Sequence, residues 1–355
     1  MVNALLADMD LRILEIGHYC PFKRTWPERV TWLCPRGRPG KGSVLAHSQP
    51  YLTERHLPQL EGALARGEFD LLVHLARGLP PCRPTPVDLF YWNFLPSRLF
   101  NPNRRIARRL IEQAPEIPLA VLDPHDAPQI DPQDLPLLDG CHAFFKRELP
   151  LDASALFFRR ADRDRARGGI PGQVHPLPLG LSPERVAAAP TSALEKTVDI
   201  FFSGRVDFPP SRRRGIDQLL ALRREGIRVE IGERMSLSEY MERCARAWLV
   251  WSPEGFGQDC FRHYEAPLCR SVPVINRAPR IRHRPFEEGV HCFYYDAERD
   301  DLATVVRRAL VDRDQLRTMA AAGQEHVLRY HTFEAICRYV IETTLSAARS
   351  KERRL

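Results

Sequence analysis

Arg262 and Glu265 are the residues whose types and spacing most clearly allow chemistry. They lie between a hydrophobic run at 248–251, which ends in a Pro-Glu-Gly-Phe-Gly turn, and a second run at Val272–Ile275. This order predicts a strand, a loop, a helix and a second strand. In open α/β sheets, ligands bind outside the carboxyl ends of the strands. On a helix the two side chains would share one face, where the guanidinium can bind a diphosphate and the carboxylate can accept hydrogen bonds from sugar hydroxyls.

The loop before Arg262 contains Gly255 and Gly257, which would let backbone N–H groups approach a phosphate closely. Pro267 removes an intrahelical hydrogen bond, so we expect the helix to be kinked or to begin late. A plainer interpretation of the pattern is an ordinary βαβ unit in which Arg262 and Glu265 form a surface ion pair. Spacing alone does not separate the two interpretations.

At 355 residues the chain is long enough for two domains of ordinary size. No run approaches the roughly 20 apolar residues that span a bilayer, and the N-terminus has acids without the basic stretch of a signal peptide. Nine cysteines without a CxxC pair indicate a reduced, cytoplasmic compartment. His18 and Cys20 lie close in sequence, but nothing nearby completes a zinc set, so we expect no metal site.

The net charge of +7 predicts a basic surface. Such a surface suits anionic partners, which include nucleotide diphosphates, polyprenyl phosphates, acidic glycans, the headgroups of an inner membrane face and nucleic acid. An arginine-rich composition also follows from coding bias, and the charge is spread along the chain. The charge therefore decides little by itself.

The elements that must position these residues follow from apolar runs and turn signals. In the N-terminal half we predict a basic amphipathic helix at 103–113 and strands at 11–16, 70–75, 118–122 and 143–145. Four prolines at 176–190 mark the crossover between domains. Beyond it, helices at 216–224 and 236–245 alternate with strands at 198–203, 228–231, 248–251, 272–275 and 293–295, which predicts a parallel, doubly wound sheet. The chain ends in helices predicted at 302–311, 315–329 and 333–347.

The Arg-x-x-Glu-Ala order at 262–266, followed by Val-Pro-Val-Ile, resembles the donor-binding region of GT-B glycosyltransferases, most closely the exostosin-like and spore-maturation-type branch. The resemblance continues at three further motifs, FFKREL (144–149), HPLPLG (175–180) and FFSGR (201–205). It covers most of the chain beyond Pro118.

This resemblance implies an α/β chain with two Rossmann-like doubly wound domains. Residues 1–180 would bind the acceptor, 181–335 would bind the nucleotide-sugar, and the helix at 336–355 would cross back to the N-terminal domain. The resemblance also implies a metal-independent enzyme without a cofactor, in which the nucleotide-sugar is the donor substrate.

Carried over residue by residue, the resemblance assigns donor binding to Gly204, Arg205, Arg262 and Glu265, with the Glu254–Gly257 loop beside them. Arg205 is the first candidate for phosphate contact, although an ion pair with Asp207 is the alternative. Arg212 is a further candidate, at the start of the next helix. One departure concerns Glu254. Retaining relatives place two glutamates eight apart, whereas Glu254 and Glu265 are eleven apart (265 − 254), so retention of configuration does not follow.

An inverting transferase needs a general base for the acceptor. Asp123, His125 and Asp126 follow a predicted strand, and His125 or Asp126 would take the acceptor proton. The alternative is ordinary turn chemistry, because Asp-Pro-His-Asp is rich in turn formers. Gly17 and His18 follow the first strand and are further candidates.

Together these features predict a glycosyltransferase that moves a sugar from a nucleotide-sugar to a glycan, lipid-linked or other acceptor. Two alternatives remain open. One is transfer to a modified base in DNA, and the other is a non-catalytic relative that serves as a coat or surface binding protein.

Overall fold

The computed structural model describes residues 10–17, 19–34, 52–76, 102–206, 209–232 and 235–353. The chain divides into two compact units. The first comprises Met1–Leu177 together with Ile336–Leu355, and the second comprises Pro178–Ala335.

The first unit is built on a parallel sheet of six strands. In chain order the strands are β1 (Ile13–Ile16), β2 (Val30–Leu33), β3 (Leu71–Leu75), β4 (Leu119–Asp123), β5 (Ala143–Lys146) and β6 (Val174–Pro176). Their order across the sheet is β2-β1-β3-β4-β5-β6. The helices of this unit are α1 (Pro21–Thr25), α2 (Leu57–Ala65), α3 (Pro102–Gln113) and α4 (Leu135–Gly140).

The second unit repeats this arrangement with five strands. They are β7 (Val198–Ser203), β8 (Val229–Gly232), β9 (Ala247–Ser252), β10 (Val272–Asn276) and β11 (Phe293–Tyr295), in the order β11-β10-β9-β7-β8. The helices are α5 (Pro183–Ala188), α6 (Pro210–Arg224), α7 (Leu237–Arg246), α8 (Arg262–Leu268), α9 (Leu302–Ala309) and α10 (Arg313–Tyr330). The last helix, α11 (Phe333–Glu352), leaves this unit near its beginning.

Both sheets reverse their winding direction at an equivalent place. In the first unit the reversal lies between β1 and β3, and in the second it lies between β7 and β9. Ligands of doubly wound sheets bind at such switch points, outside the carboxyl ends of the strands. The topology therefore predicts a ligand site at the carboxyl ends of β7 and β9.

The strands form where the sequence is continuously apolar, because helices cover both faces of a parallel sheet. β3, β4 and β10 are buried along their whole length. The prediction of parallel, doubly wound sheets is confirmed. Two strands were not predicted, β2 and β6, and α6 begins at Pro210 instead of Ile216.

The predicted return of the final helix is also confirmed. Cys337, Val340 and Ile341 of α11 are buried in the same apolar cluster as Val73 and Phe145 of the first sheet. α11 thus belongs to the core of the first unit. Among the described residues, no helix has both the length and the apolarity to cross a membrane.

Close packing fixes α6 on the second sheet. Gly215 of α6 lies against the fully buried indole of Trp251 in β9, and a Cβ atom added at Gly215 would overlap that ring. The glycine lets the helix approach the sheet closely, and this approach positions the first turn of α6 beside the ends of β7 and β9.

We predict that Gly215→Ala destabilises the protein by about 1–3 kcal/mol, because overpacking against a rigid ring outweighs the better helix propensity of alanine, about 1 kcal/mol. Asp217→Ala is the matched control, since Asp217 is exposed on the same helix and surface changes stay within about 0.5 kcal/mol. Urea denaturation measures both. Equal stability of the two variants would contradict the packing argument.

Candidate functional site

The Arg262 side chain lies across the switch point of the second sheet. Its Nη1 donates to the carbonyl oxygen of Ser203, at the end of β7, and its Nη2 donates to that of Pro253, directly after β9, both at 3.4 Å. Its buried Nε has no hydrogen-bond partner among the described residues. Both acceptors are neutral, so these hydrogen bonds cancel none of the positive charge of the guanidinium.

Arg212 supplies a second guanidinium at the same edge. It lies in the first turn of α6, 6% exposed, where its Nε donates to the Glu254 carbonyl oxygen at 2.8 Å and its Nη1 to that of Arg205 at 3.0 Å. Burial and the charge of Arg262 lower the pKa of Arg212 to about 10. Two like charges held close together are costly without an anion, so the pair is suited to bind one.

Gly204 makes room for this pair. Its φ is +152°, and an added Cβ would lie 3.2 Å from Nη1 of Arg262 and 3.3 Å from Cζ of Phe202. A side chain here would strain the backbone and displace the guanidinium, so the structure requires glycine at this strand end.

The loop of Glu254 and Gly255 is closed by a hydrogen bond of its own. The Gly255 amide donates to the Gly257 carbonyl oxygen at 2.8 Å, and the approach of this loop to a phosphate stays a prediction. Glu254 braces the loop, because its Oε1 accepts a hydrogen bond from Ser211 Oγ at 2.9 Å while its carbonyl oxygen holds Arg212.

Arg205 is exposed, and its carbonyl oxygen, which accepts from Arg212, connects it to the guanidinium pair. The proposed alternative partner, Asp207, lies outside the described residues. Sequence reasoning ranked Arg205 above Arg212, and the structure places Arg212 at the centre of the cluster.

Glu265 is 3% exposed and forms an ion pair with Arg185 of α5. The guanidinium of Arg185 also stacks on the Phe261 ring, 4.2 Å from its centroid. The alternative of a surface pair between Arg262 and Glu265 is therefore wrong. Arg185 was missed because the proline-rich stretch around it has no periodicity, although Ser182-Pro183 is a signal for a helix start.

In the first unit, Asp123 ends β4 in a buried ion pair. Its Oδ2 is 2.9 Å from Nζ of Lys146, and the two side chains are 1% and 0% exposed. Its Oδ1 accepts from the His125 amide at 3.2 Å. The assignment of Asp123 as a catalytic carboxylate is therefore corrected, because the group is enclosed and already neutralised.

Asp126 pairs with Arg147. Lys146 and Arg147 thus form ion pairs with the loop at 123–126 of the same unit.

His125 is half-buried beside the end of β3. Its Nε2 lies 3.2 Å from the carbonyl oxygen of Ala76, which can only accept, so Nε2 carries the proton and Nδ1 is left as the basic nitrogen. Burial lowers the pKa of His125. The ring is therefore neutral near pH 7 and can accept a proton.

Gly17, at the end of β1, has a structural explanation. A Cβ added there would lie 2.7 Å from Leu75 Cβ, and the Gly17 carbonyl oxygen accepts from Trp32 Nε1 at 3.0 Å. His18 lies outside the described residues.

Comparison with known proteins identifies a related family for part of the second unit. A family model described as "Glycosyl transferase-like" matches residues 214–342, which include Arg262 and Glu265. No curated protein matches the sequence.

Solved structures show the fold of the whole chain. Alr3699/HepE of Anabaena, solved in complex with UDP, is 15% identical with a TM-score of 0.55 over 95% of this chain and 100% of that one. An alpha-glucosyltransferase solved with UDP and a 13-mer DNA containing an HMU base is 12% identical, with a TM-score of 0.54 over 95% and 99%. Sucrose-phosphate synthase of Thermosynechococcus elongatus is 14% identical, with a TM-score of 0.51 over 93% and 98%. The fold is thus the GT-B fold.

We predict that Lys146→Met destabilises the protein by about 3–5 kcal/mol, because it leaves the Asp123 carboxylate buried without its cation. The double variant Asp123→Leu/Lys146→Met should recover most of this loss, since an apolar pair of similar volume replaces both charges. Urea denaturation of the single and double variants tests the pair. A loss below about 1 kcal/mol in the single variant would show that water reaches Asp123.

Proposed function

We propose that this protein is a glycosyltransferase that moves a sugar from a nucleotide-sugar donor to a glycan, lipid-linked or other acceptor. The observation that carries the proposal is the guanidinium pair of Arg212 and Arg262 at the switch point of the second sheet. The glycosyltransferase-like family match and the GT-B fold support it. By the motifs shared with it, we place the protein in the exostosin-like and spore-maturation-type branch.

The guanidinium pair suits the electrostatic demand of the reaction. Negative charge accumulates on the diphosphate as the glycosidic bond breaks, and preorganised cations stabilise that charge. Arg212 is held by two backbone carbonyl oxygens and is nearly fully buried. Little reorganisation is then needed when the diphosphate leaves, and we propose that the reaction needs neither a metal nor a cofactor.

Glu265 would hold the hydroxyl groups of the donor. Its ion pair with Arg185 reduces the cost of burying the carboxylate and fixes its orientation. A carboxylate has about four lone-pair directions, so one guanidinium leaves acceptor capacity for sugar hydroxyls. Arg185 therefore acts in this proposal as a positioning residue for Glu265.

His125 would take the proton of the acceptor on the first unit. Its Nδ1 is the basic nitrogen, and the Asp123–Lys146 pair fixes the backbone from which the ring projects. Asp126 is more exposed than Asp123, but its carboxylate is engaged by Arg147 and is less available to an acceptor.

One observation favours a second acceptor class. The fold is shared with an alpha-glucosyltransferase solved with UDP and DNA, and this chain carries a net charge of +7. DNA containing a modified base therefore belongs in an acceptor panel, beside glycans and lipid-linked sugars. We place the reaction in the cytoplasm, where an anionic inner membrane face would be a further partner surface.

We predict that UDP, or another nucleoside diphosphate of the donor, binds the wild-type protein and that Arg212→Gln weakens binding by about 10- to 100-fold, the effect of losing a charge-assisted hydrogen bond. Arg213→Gln is the matched control, because Arg213 is its exposed neighbour on α6. Calorimetry against uridine, guanosine, thymidine and cytidine diphosphates measures both. Equal affinity of the two variants, or no binding by the wild type, would refute the donor site.

We predict that His125→Asn lowers kcat by about 100-fold or more, as expected for loss of a general base, and leaves the donor diphosphate affinity unchanged. Because the base must be neutral and burial lowers its pKa, wild-type activity should persist as the pH falls below the ordinary histidine value and decline only at lower pH. A pH–rate profile measures the fall in rate at low pH that protonation of the base causes. If His125→Asn shows the same fall at the same pH, another group accepts the proton.

A further inference from the structure

A cysteine, a histidine and a serine form a cluster beside the guanidinium pair, and the proposed transfer uses none of them. Sγ of Cys260 lies 3.5 Å from Nδ1 of His263 and 3.6 Å from Oγ of Ser252. The Ser252 hydroxyl is in turn 2.6 Å from His263 Nδ1. Ser252 and His263 are 0% and 1% exposed, so the sheet and α8 hold both partners of the thiol rigidly.

The Cys260 thiol donates to the Pro253 carbonyl oxygen at 3.4 Å, and its proton can instead pass to the His263 ring, whose Nδ1 is 3.5 Å away. His263 Nε2 is 3.2 Å from the Gln258 carbonyl oxygen, which can only accept, so Nε2 is protonated and Nδ1 is the basic nitrogen. When Nδ1 takes the thiol proton, it can donate to Ser252 Oγ, and the serine hydroxyl can rotate to donate to the thiolate.

The charges around Cys260 favour the thiolate. Arg262 and Arg212 interact with it electrostatically, and so does Arg282 from the loop after β10. Burial opposes ionisation, but the charges of His263 and Arg262 and the hydrogen bonds from His263 and Ser252 lower the pKa of Cys260 to about 5.

Cys260 also differs from the other cysteines in accessibility. It is half-buried, whereas the remaining seven described cysteines are buried. Burial raises the pKa of five of those seven, Cys20, Cys141, Cys244, Cys269 and Cys292. Among the described thiols, reactivity is therefore concentrated at Cys260.

We propose that Cys260 is a nucleophilic thiol, activated by His263 and Ser252, that is modified by hydroperoxides and other soft electrophiles, and that its thiolate and a diphosphate at the neighbouring guanidinium pair weaken each other's binding. The second part rests on the proposed donor site. The first part stands on the cluster alone.

The reaction with a hydroperoxide is a two-electron oxidation of sulfur. The thiolate attacks one peroxide oxygen, an S–O bond forms and the O–O bond breaks. The leaving hydroxide or alkoxide takes the proton held on His263 and departs as water or alcohol, and the product is a sulfenic acid. Alkylation by iodoacetamide follows the same geometry, with an S–C bond formed and iodide released.

The first experiment measures the rate of Cys260 alkylation by iodoacetamide between pH 4 and 9, by mass spectrometry of the peptide. Relative to its own plateau, the native protein should keep more than half of its rate at pH 6. The chain unfolded in urea should keep less than about 1%, because an ordinary thiol has a pKa near 8.5. A native midpoint between pH 8 and 9, or no native labelling, would overturn the proposal.

His263→Asn should raise the midpoint by at least about one pH unit, and Ser252→Ala should raise it by less. Unchanged midpoints in both folded variants would contradict the activation. If His263→Asn does not fold, the wild-type profile and Ser252→Ala still decide.

The second experiment treats the protein with hydrogen peroxide. The wild type should gain one oxygen at Cys260, and Cys260→Ser should gain none there. The alkylation profile of the untreated protein is then repeated with a saturating concentration of whichever of the four nucleoside diphosphates it binds. The bound diphosphate should raise the midpoint of Cys260 alkylation, because it interacts with the same guanidinium groups. An unchanged midpoint at saturation would refute the coupling. Failure of the untreated protein to bind any of the four diphosphates would count against the donor site and leave the first experiment standing.

Discussion

The second unit depends on two neighbouring guanidinium groups whose hydrogen bonds all go to neutral backbone oxygens. Arg212 and Arg262 donate to backbone carbonyl oxygens, which accept these hydrogen bonds but cancel no charge. Lys146 of the first unit differs, because Asp123 neutralises its charge. Packing holds the two guanidinium groups in place against their mutual repulsion. The approach of α6 at Gly215 and the bare backbone of Gly204 fix where the two side chains lie.

Much of the fold could be predicted from local pattern. β3, β4, β7, β9 and β10 are runs of apolar residues, and burial on both faces of a parallel sheet requires such runs. β2 and β6 were not predicted. β6 ends in His-Pro, and proline is disfavoured inside strands. Its strand state is imposed by pairing with β5, which is information from a distant part of the chain. β2 is Val-Thr-Trp-Leu, whose residues favour strands, so its signal was present and was missed.

In the candidate site, too, some residues could be predicted from local pattern and others could not. Arg262 was predicted at the strand ends because it lies in the segment that joins β9 to β10. Arg212 was placed at the start of the next helix, but its importance depends on its hydrogen bond to the Glu254 carbonyl oxygen, 42 residues away along the chain, which no local pattern shows. Arg185 lies 80 residues from Glu265, so no local spacing could have paired them. The role assigned to Asp123 failed for a related reason, because its partner, Lys146, belongs to the next strand of the sheet.

The positive electrostatic field that attracts anions to the switch point also contributes to the lowered pKa of the Cys260 thiol beside it. A thiolate at Cys260 and a diphosphate at Arg212 and Arg262 would interact with the same cations. Each anion therefore weakens the field available to the other, and by linkage the effect is reciprocal. A residue with no part in sugar transfer would in this way sense whether the donor site is occupied. This coupling is possible because the two guanidinium groups donate to neutral carbonyl oxygens. A carboxylate placed between them would neutralise the field that both the bound anion and the thiolate need.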